Sequence, residues 1–290
     1  MAPCGIDMFS AIEPRILVLA PLAEEWSILV KACEERHQTE TLPDLKLPCA
    51  YVPAWRMALA RAGHGKTQCA VQAQYLIGRF PRAALVVCVG AAGSLDPNLS
   101  VGDVVVGTET VEHDYRLLFA TRPLPRFRGD IASLMRLRAA SAGLSGFRIA
   151  FDVIASGDED VVSSSRAAEI RTQTGAVCVA WEGSGAARAA TFNNIGSLEI
   201  RGITDAADKE ASQDFHDNLP IAMANLFRLL EVLLTTESRY AVCQTSGNYH
   251  ARAPDRKRIL SARPPRPSVR TKRVNSTNTT PRMIPLDGSV

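Results

Sequence analysis

The sequence predicts an α/β fold with a largely parallel sheet, and three observations carry that expectation. Short apolar, β-branched runs alternate with stretches of helical periodicity. Acidic or very small residues follow several of those runs directly, as at the carboxyl ends of parallel strands. Residues 85–107, LVVCVGAAGSLDPNLSVGDVVVG, join two such runs through tiny side chains and the turn residues Asp96-Pro97-Asn98. With 290 residues, 46% apolar and 22% charged, the chain can form one large domain or two small ones.

In order along the chain, residues 16–20 (ILVLA) read as a buried strand ended by Pro21. A helix over 23–35 follows, with Trp26, Leu29, Val30 and Cys33 on one face and Glu24 and Glu25 in its first turn. Acids there commonly just complement the helix dipole. Residues 36–53 contain Pro43, Pro48 and Pro53 and read as irregular or edge-like. A strand over 57–61 leads into Ala62-Gly63-His64-Gly65-Lys66, and a helix over 67–80 aligns Cys69, Ala73, Leu76 and Phe80 before Pro81.

Residues 85–89 are the next strand, and Gly90-Ala91-Ala92-Gly93-Ser94 reads as a loop whose amides can approach a ligand. The plainer alternative is two core strands joined by a tight connection. After a strand at 104–106, residues 111–130 look like a long polar loop of the kind that covers a site. Then come a helix over 130–142, a strand over 148–154, an acidic turn at 155–160, and a helix over 165–174 capped by Gly175. A strand at 177–179 delivers Trp181 and Glu182, followed by an Ala-rich helix that opens with Gly183-Ser184-Gly185. A strand over 198–203 ends at Thr204-Asp205, and an apolar helix spans 219–234. Glu25, Asp158 to Asp160, Glu182 and Asp205 therefore all stand just after strands, where strand ends converge and can share a pocket.

Other patterns limit the possible functions. Neither GxGxxG nor GxxxxGK[ST] occurs, so neither a dinucleotide fingerprint nor a P-loop is supported. No apolar run reaches the ~18 residues of a membrane span, and no secretory leader is evident. The seven cysteines include no CxxC pair, which suggests a reducing, cytoplasmic setting without structural zinc. The net charge of +3 conceals a tail, residues 246–290, that holds ten Lys/Arg and two Asp/Glu and leaves the remainder at −5. That tail has six of the 17 prolines and no apolar period, so it is expected to be a disordered, solvated extension rather than a nucleic-acid arm.

Four motifs taken together resemble the nucleoside phosphorylase and nucleosidase superfamily, and within it the methylthioadenosine/S-adenosylhomocysteine nucleosidases. They are LAPLAEEW, VGAAGSLDPNLSVGDVVV, SGD followed by VAWEGSGAA, and IRGITDAAD with the downstream Phe215. The resemblance implies a single purine nucleoside phosphorylase-like domain over 15–237, preceded by an extension at 1–14. Its mixed central sheet would be twisted, mostly parallel and flanked by helices. It further implies a homodimer that needs neither metal nor cofactor and takes a small nucleoside substrate.

That chemistry breaks a purine–ribosyl bond. The sugar becomes cationic while the base departs as an anion, so a proton donor, nearby negative charge and a base for water are all required. By resemblance Asp205 protonates the purine, Glu25 deprotonates water, and Glu182 binds the ribose hydroxyls. Arg201 corresponds to a basic residue near the acid, and Phe215 to an aromatic beside the 5′ substituent. Ala91, Gly93, Val161, Asp160 and Trp181 fall at substrate-lining positions. Several of these depart from the family pattern: Ala91 replaces a usual Ser, Asp160 an aromatic, Ala180 an acid and Trp181 a Met. Val89 stands where phosphorolysis commonly has Arg, so water is the expected nucleophile, although Arg61 could supply charge. A phosphorylase or a weakly catalytic nucleoside-binding module are the alternatives. His64 and His113 read as structural or surface groups.

Overall fold

The structure, a computed structural model, describes residues 12–246. Most of the expected N-terminal extension and nearly all of the basic tail lie outside them. The chain opens with β1 (Ile16–Ala20) and α1 (Ala23–Glu34), then the short strands β2 (Glu40–Thr41) and β3 (Cys49–Val52). Next are β4 (Met57–Arg61), α2 (Lys66–Arg79), β5 (Leu85–Ser94), β6 (Val104–Glu112) and β7 (Arg126–Arg128). The second half holds α3 (Ile131–Ala140), β8 (Ile149–Ser156), α4 (Ser164–Thr174) and β9 (Cys178–Ala180). It ends with α5 (Gly183–Phe192), β10 (Gly196–Asp205) and α6 (Ala211–Ser246).

β5 is the hub of the mixed sheet. It runs parallel to β1 and β10 and antiparallel to β9. Because β10 also pairs with β6, β6 with β8, and β8 with β9, these five strands close into a ring. β4, β3 and β2 extend the sheet from β1 on the open side. The period of two along a strand explains why helices cover both faces. Val87 and Val89 of β5 join Val18, Leu29, Leu226 and Leu230 in one apolar cluster, against α1 and α6. Val86 and Cys88 point the other way and join Leu17, Leu19, Ala73, Leu76 and Ala189, against α2 and α5.

The structure revises the sequence-based elements in three places. Gly90 to Ser94 is strand, not loop: Gly90 to Ala92 pair with Arg201 to Ile203, and Gly93 and Ser94 pair with Val179 and Cys178. Tiny side chains there permit close strand crossing where the ring closes, which in sequence looks the same as a flexible loop. The expected long loop at 111–130 is shorter. β6 continues to Glu112, and β7 folds back on Glu109 to Val111, because polar residues serve well in paired strands. The last helix begins at Ala211 rather than 219 and carries Pro220 inside it, so its polar first turns look like loop in sequence. By length and composition alone this helix could cross a membrane, but Met223, Leu226, Phe227, Leu230 and Leu233 are buried in the core beside the sheet.

Candidate active site

One cavity of about 340 Å³ opens at the carboxyl ends of β1, β5, β9 and β10. All ten expected site residues line it: Glu25, Ala91, Gly93, Asp160, Val161, Trp181, Glu182, Arg201, Asp205 and Phe215. That size is at the lower end of ordinary small-molecule pockets, roughly 300–1,000 Å³.

Glu25 comes from the first turn of α1, and its neighbour Glu24 is exposed. Its carboxylate accepts the Leu22 amide at 3.0 Å, closing the helix start, and the Ala91 amide at 2.7 Å. It therefore caps a helix and faces the cavity at once. Burial pushes this carboxyl up to about 7, and the nearby Glu182 charge adds to the rise, against Arg201 and the two amide bonds. Gly90 makes the approach possible: a Cβ there would stand 2.6 Å from a Glu25 oxygen and 2.8 Å from the Arg201 guanidinium.

Glu182 sits between β9 and α5, just after Trp181. It accepts the Gly65 amide at 3.3 Å and an Arg201 N–H at 3.2 Å. Arg201 is 1% exposed and also donates to Glu199 at 2.8 Å. Arg201 thus bridges Glu182 and Glu199, whereas Asp205 has other partners. A buried guanidinium between two carboxylates has its donors engaged, so its loss would leave charges uncompensated.

Asp205 ends β10. Its two oxygens accept the Thr204 hydroxyl at 2.7 Å and the Ala207 amide at 2.9 Å. Burial holds this carboxyl above its ordinary value despite both bonds. The Ala207 turn is left-handed at φ 51, a conformation non-glycine residues rarely adopt and one found at functional sites. Gly93 is required beside it, since a Cβ would lie 2.7 Å from an Asp205 oxygen.

Residues 15–235 match the family model of the phosphorylase superfamily, which spans most of the chain and the whole cavity. The chain belongs to the phosphorylase superfamily. Among its relatives, the 5′-methylthioadenosine/S-adenosylhomocysteine nucleosidase of Geobacillus thermodenitrificans is 28% identical over 229 residues, covering 76% of this chain and 96% of the relative. A crystal structure of the corresponding nucleosidase from Neisseria meningitidis, in complex with methylthio-immucillin-A, superposes with TM-score 0.69 at 27% identity. It covers 76% of this chain and 98% of that one. Futalosine hydrolase of Helicobacter pylori shares the fold with TM-score 0.69 at 21% identity, covering 78% of this chain and 98% of that one.

Against this superfamily background, Glu159 of the expected acidic turn also lines the cavity, and the sequence reading missed several other lining residues: His64, Thr204, Ser212 and His216. His64 is the most informative of them, because its ring stacks on Trp181 with centroids 4.1 Å apart and planes 21° from parallel. Its flanking glycines, just after β4, were the available signal. His113 does not line the cavity; it is buried against Gly157, in keeping with a structural role. Arg61 ends β4 exposed and likewise lies outside the lining. Asp160 stands exposed at the rim, and Ala180 is buried in the wall.

Proposed function

We propose that this superfamily member hydrolyses the N-glycosidic bond of a purine nucleoside modified at its 5′ carbon. 5′-Methylthioadenosine and S-adenosylhomocysteine are the leading candidates, with adenine as the released base. The observation that carries this reading is the meeting of Glu25, Glu182 and Asp205 around one cavity. Glu25 takes a proton from water as the water oxygen bonds to C1′. The C1′–N9 bond breaks, and its electron pair leaves with the base. Asp205 gives its proton to the purine, so the departing base is neutral. Glu182 accepts hydrogen bonds from the ribose hydroxyls, and the carboxylates favour positive charge developing on the sugar.

Water is favoured over phosphate on electrostatic grounds. Arg201 is the only Lys or Arg among the described residues that line the cavity, and Glu182 and Glu199 already occupy it. A phosphate dianion would meet carboxylates with no uncommitted guanidinium to offset them. The test is a panel of adenosine derivatives incubated with the full chain, with and without inorganic phosphate. Adenine should appear at the same rate in both. Release only with phosphate would make the protein a phosphorylase, and binding without release would make it a nucleoside-binding module.

The same reading gives a homodimer in the cytoplasm. Five free, buried cysteines fit a reducing compartment. The exposed side chains of Leu118 and Phe119, between β6 and β7, suit burial against a second subunit. Light scattering on the purified chain should give twice the monomer mass, and a monomeric mass would remove the dimer.

A further inference from the structure

Both oxygens of Glu182 are held, but by clamps of different character. Arg201 grips one from the buried core at 3.2 Å. The other accepts the Gly65 amide at 3.3 Å, and Gly65, itself buried, belongs to the turn between β4 and α2, of which only His64 is exposed. That turn consists of Gly63, His64 and Gly65, with φ of +73 at Gly63 and +85 at Gly65. Glycines in the left-handed region set its shape but offer no side chain to anchor it. Contacts at its two ends fix it from outside: the Lys66 amide donates to Asp158 at 2.7 Å, the Lys66 ammonium pairs with Glu112 and Asp114, and the His64 ring lies on Trp181.

The two segments therefore join as a pair of adjacent contacts. His64 stacks on Trp181, and the next residue on one side, Gly65, bonds to the next residue on the other, Glu182. Moving the imidazole away loosens the amide beside it. We propose that His64 is a positioning residue: stacked on Trp181, it holds the Gly65 amide against Glu182 and so sets that carboxylate for the ribose hydroxyls. The pair also walls the sugar side of the cavity, since Trp181 immediately precedes Glu182. His64 is exposed, so its removal leaves the apolar core intact.

This inference rests on the nucleosidase reading, and its test separates the two. The full chain, His64→Ala and His64→Phe are compared on a cleaved ribonucleoside and on its 3′-deoxy counterpart. The wild-type protein should prefer the ribonucleoside. His64→Ala should raise KM for the ribonucleoside about three- to tenfold, the factor an aromatic stack is worth. A change shared by both compounds reports the lost cavity wall, whereas the preference for the ribonucleoside over the 3′-deoxy compound should fall by that factor. His64→Phe keeps a flat ring on Trp181 and should restore the preference.

Wild-type preference in His64→Ala would overturn the proposal, as would failure of His64→Phe to restore it. If the wild-type protein cleaves neither compound, the nucleosidase reading falls, and the preference is then read by calorimetric binding. There His64→Ala must still lose it and His64→Phe must still keep it. Absence of binding to either nucleoside overturns both readings.

Discussion

Asp205→Asn should abolish base release while leaving nucleoside binding close to wild type. The side chains are nearly isosteric, and the Asn carbonyl oxygen can still accept the Ala207 amide that Asp205 accepts at 2.9 Å. What disappears is a transferable proton. An amide can donate a hydrogen bond to the purine but cannot neutralise it as it leaves. General acid catalysis of this kind is worth about 10²- to 10⁴-fold, so kcat should fall by that factor with KM changed only slightly. Single-turnover adenine release and calorimetric binding measure the two quantities separately. A variant that binds weakly and turns over in proportion would make Asp205 a binding group instead. One that keeps wild-type kcat would remove the acid role altogether.

The three carboxylates were legible because each is anchored by a local rule visible in sequence. Glu25 sits in a helix's first turn, Glu182 ahead of a glycine-rich helix start, and Asp205 at a strand's end. Parallel strands then bring their carboxyl ends together, so sequence positions far apart become one pocket. The ring closure of β5, β10, β6, β8 and β9 was not legible. Pairing of β5 with three strands depends on where strands cross, and Gly90 to Gly93 look alike in sequence whether they turn or cross. The Arg201 pairing with Glu199 was hidden for a similar reason. Both lie on β10 two residues apart, on one face inside the ring, which in an open sheet would have been one face among two. His64 was missed because its flanking glycines mark a tight turn without showing what the histidine side chain meets, which is the Trp181 ring.

Glu25→Gln should produce a loss of turnover as large, about 10²- to 10⁴-fold, together with a pH-dependent change in stability that reports the buried carboxyl's own titration. Burial first, and Glu182 second, raise the native carboxyl from 4.5 to about 7. Between those values the folded protein holds a proton that the unfolded chain has already released. Stability therefore falls as pH rises across that window, by roughly 3 kcal/mol in total, and the loss is complete above the folded pKa. Glutamine has no such titration. The melting temperature of Glu25→Gln relative to wild type should accordingly climb from pH 4.5 to 7 and level off beyond, whatever fixed cost its lost amide bond imposes. A difference that stays flat with pH would place Glu25's native titration near its ordinary value, and with it remove the reason a carboxylate at this position can exchange protons with water near neutrality. Activity gives a second reading of the same group. The productive form has Glu25 ionised and Asp205 protonated, so kcat/KM should be bell-shaped with a limb near 7. In Glu182→Gln the like charge is gone and Arg201 is freed to favour ionised Glu25. The residual activity of that variant should show this limb shifted to lower pH, because the acid that neighbours Glu25 is what helps hold its proton on.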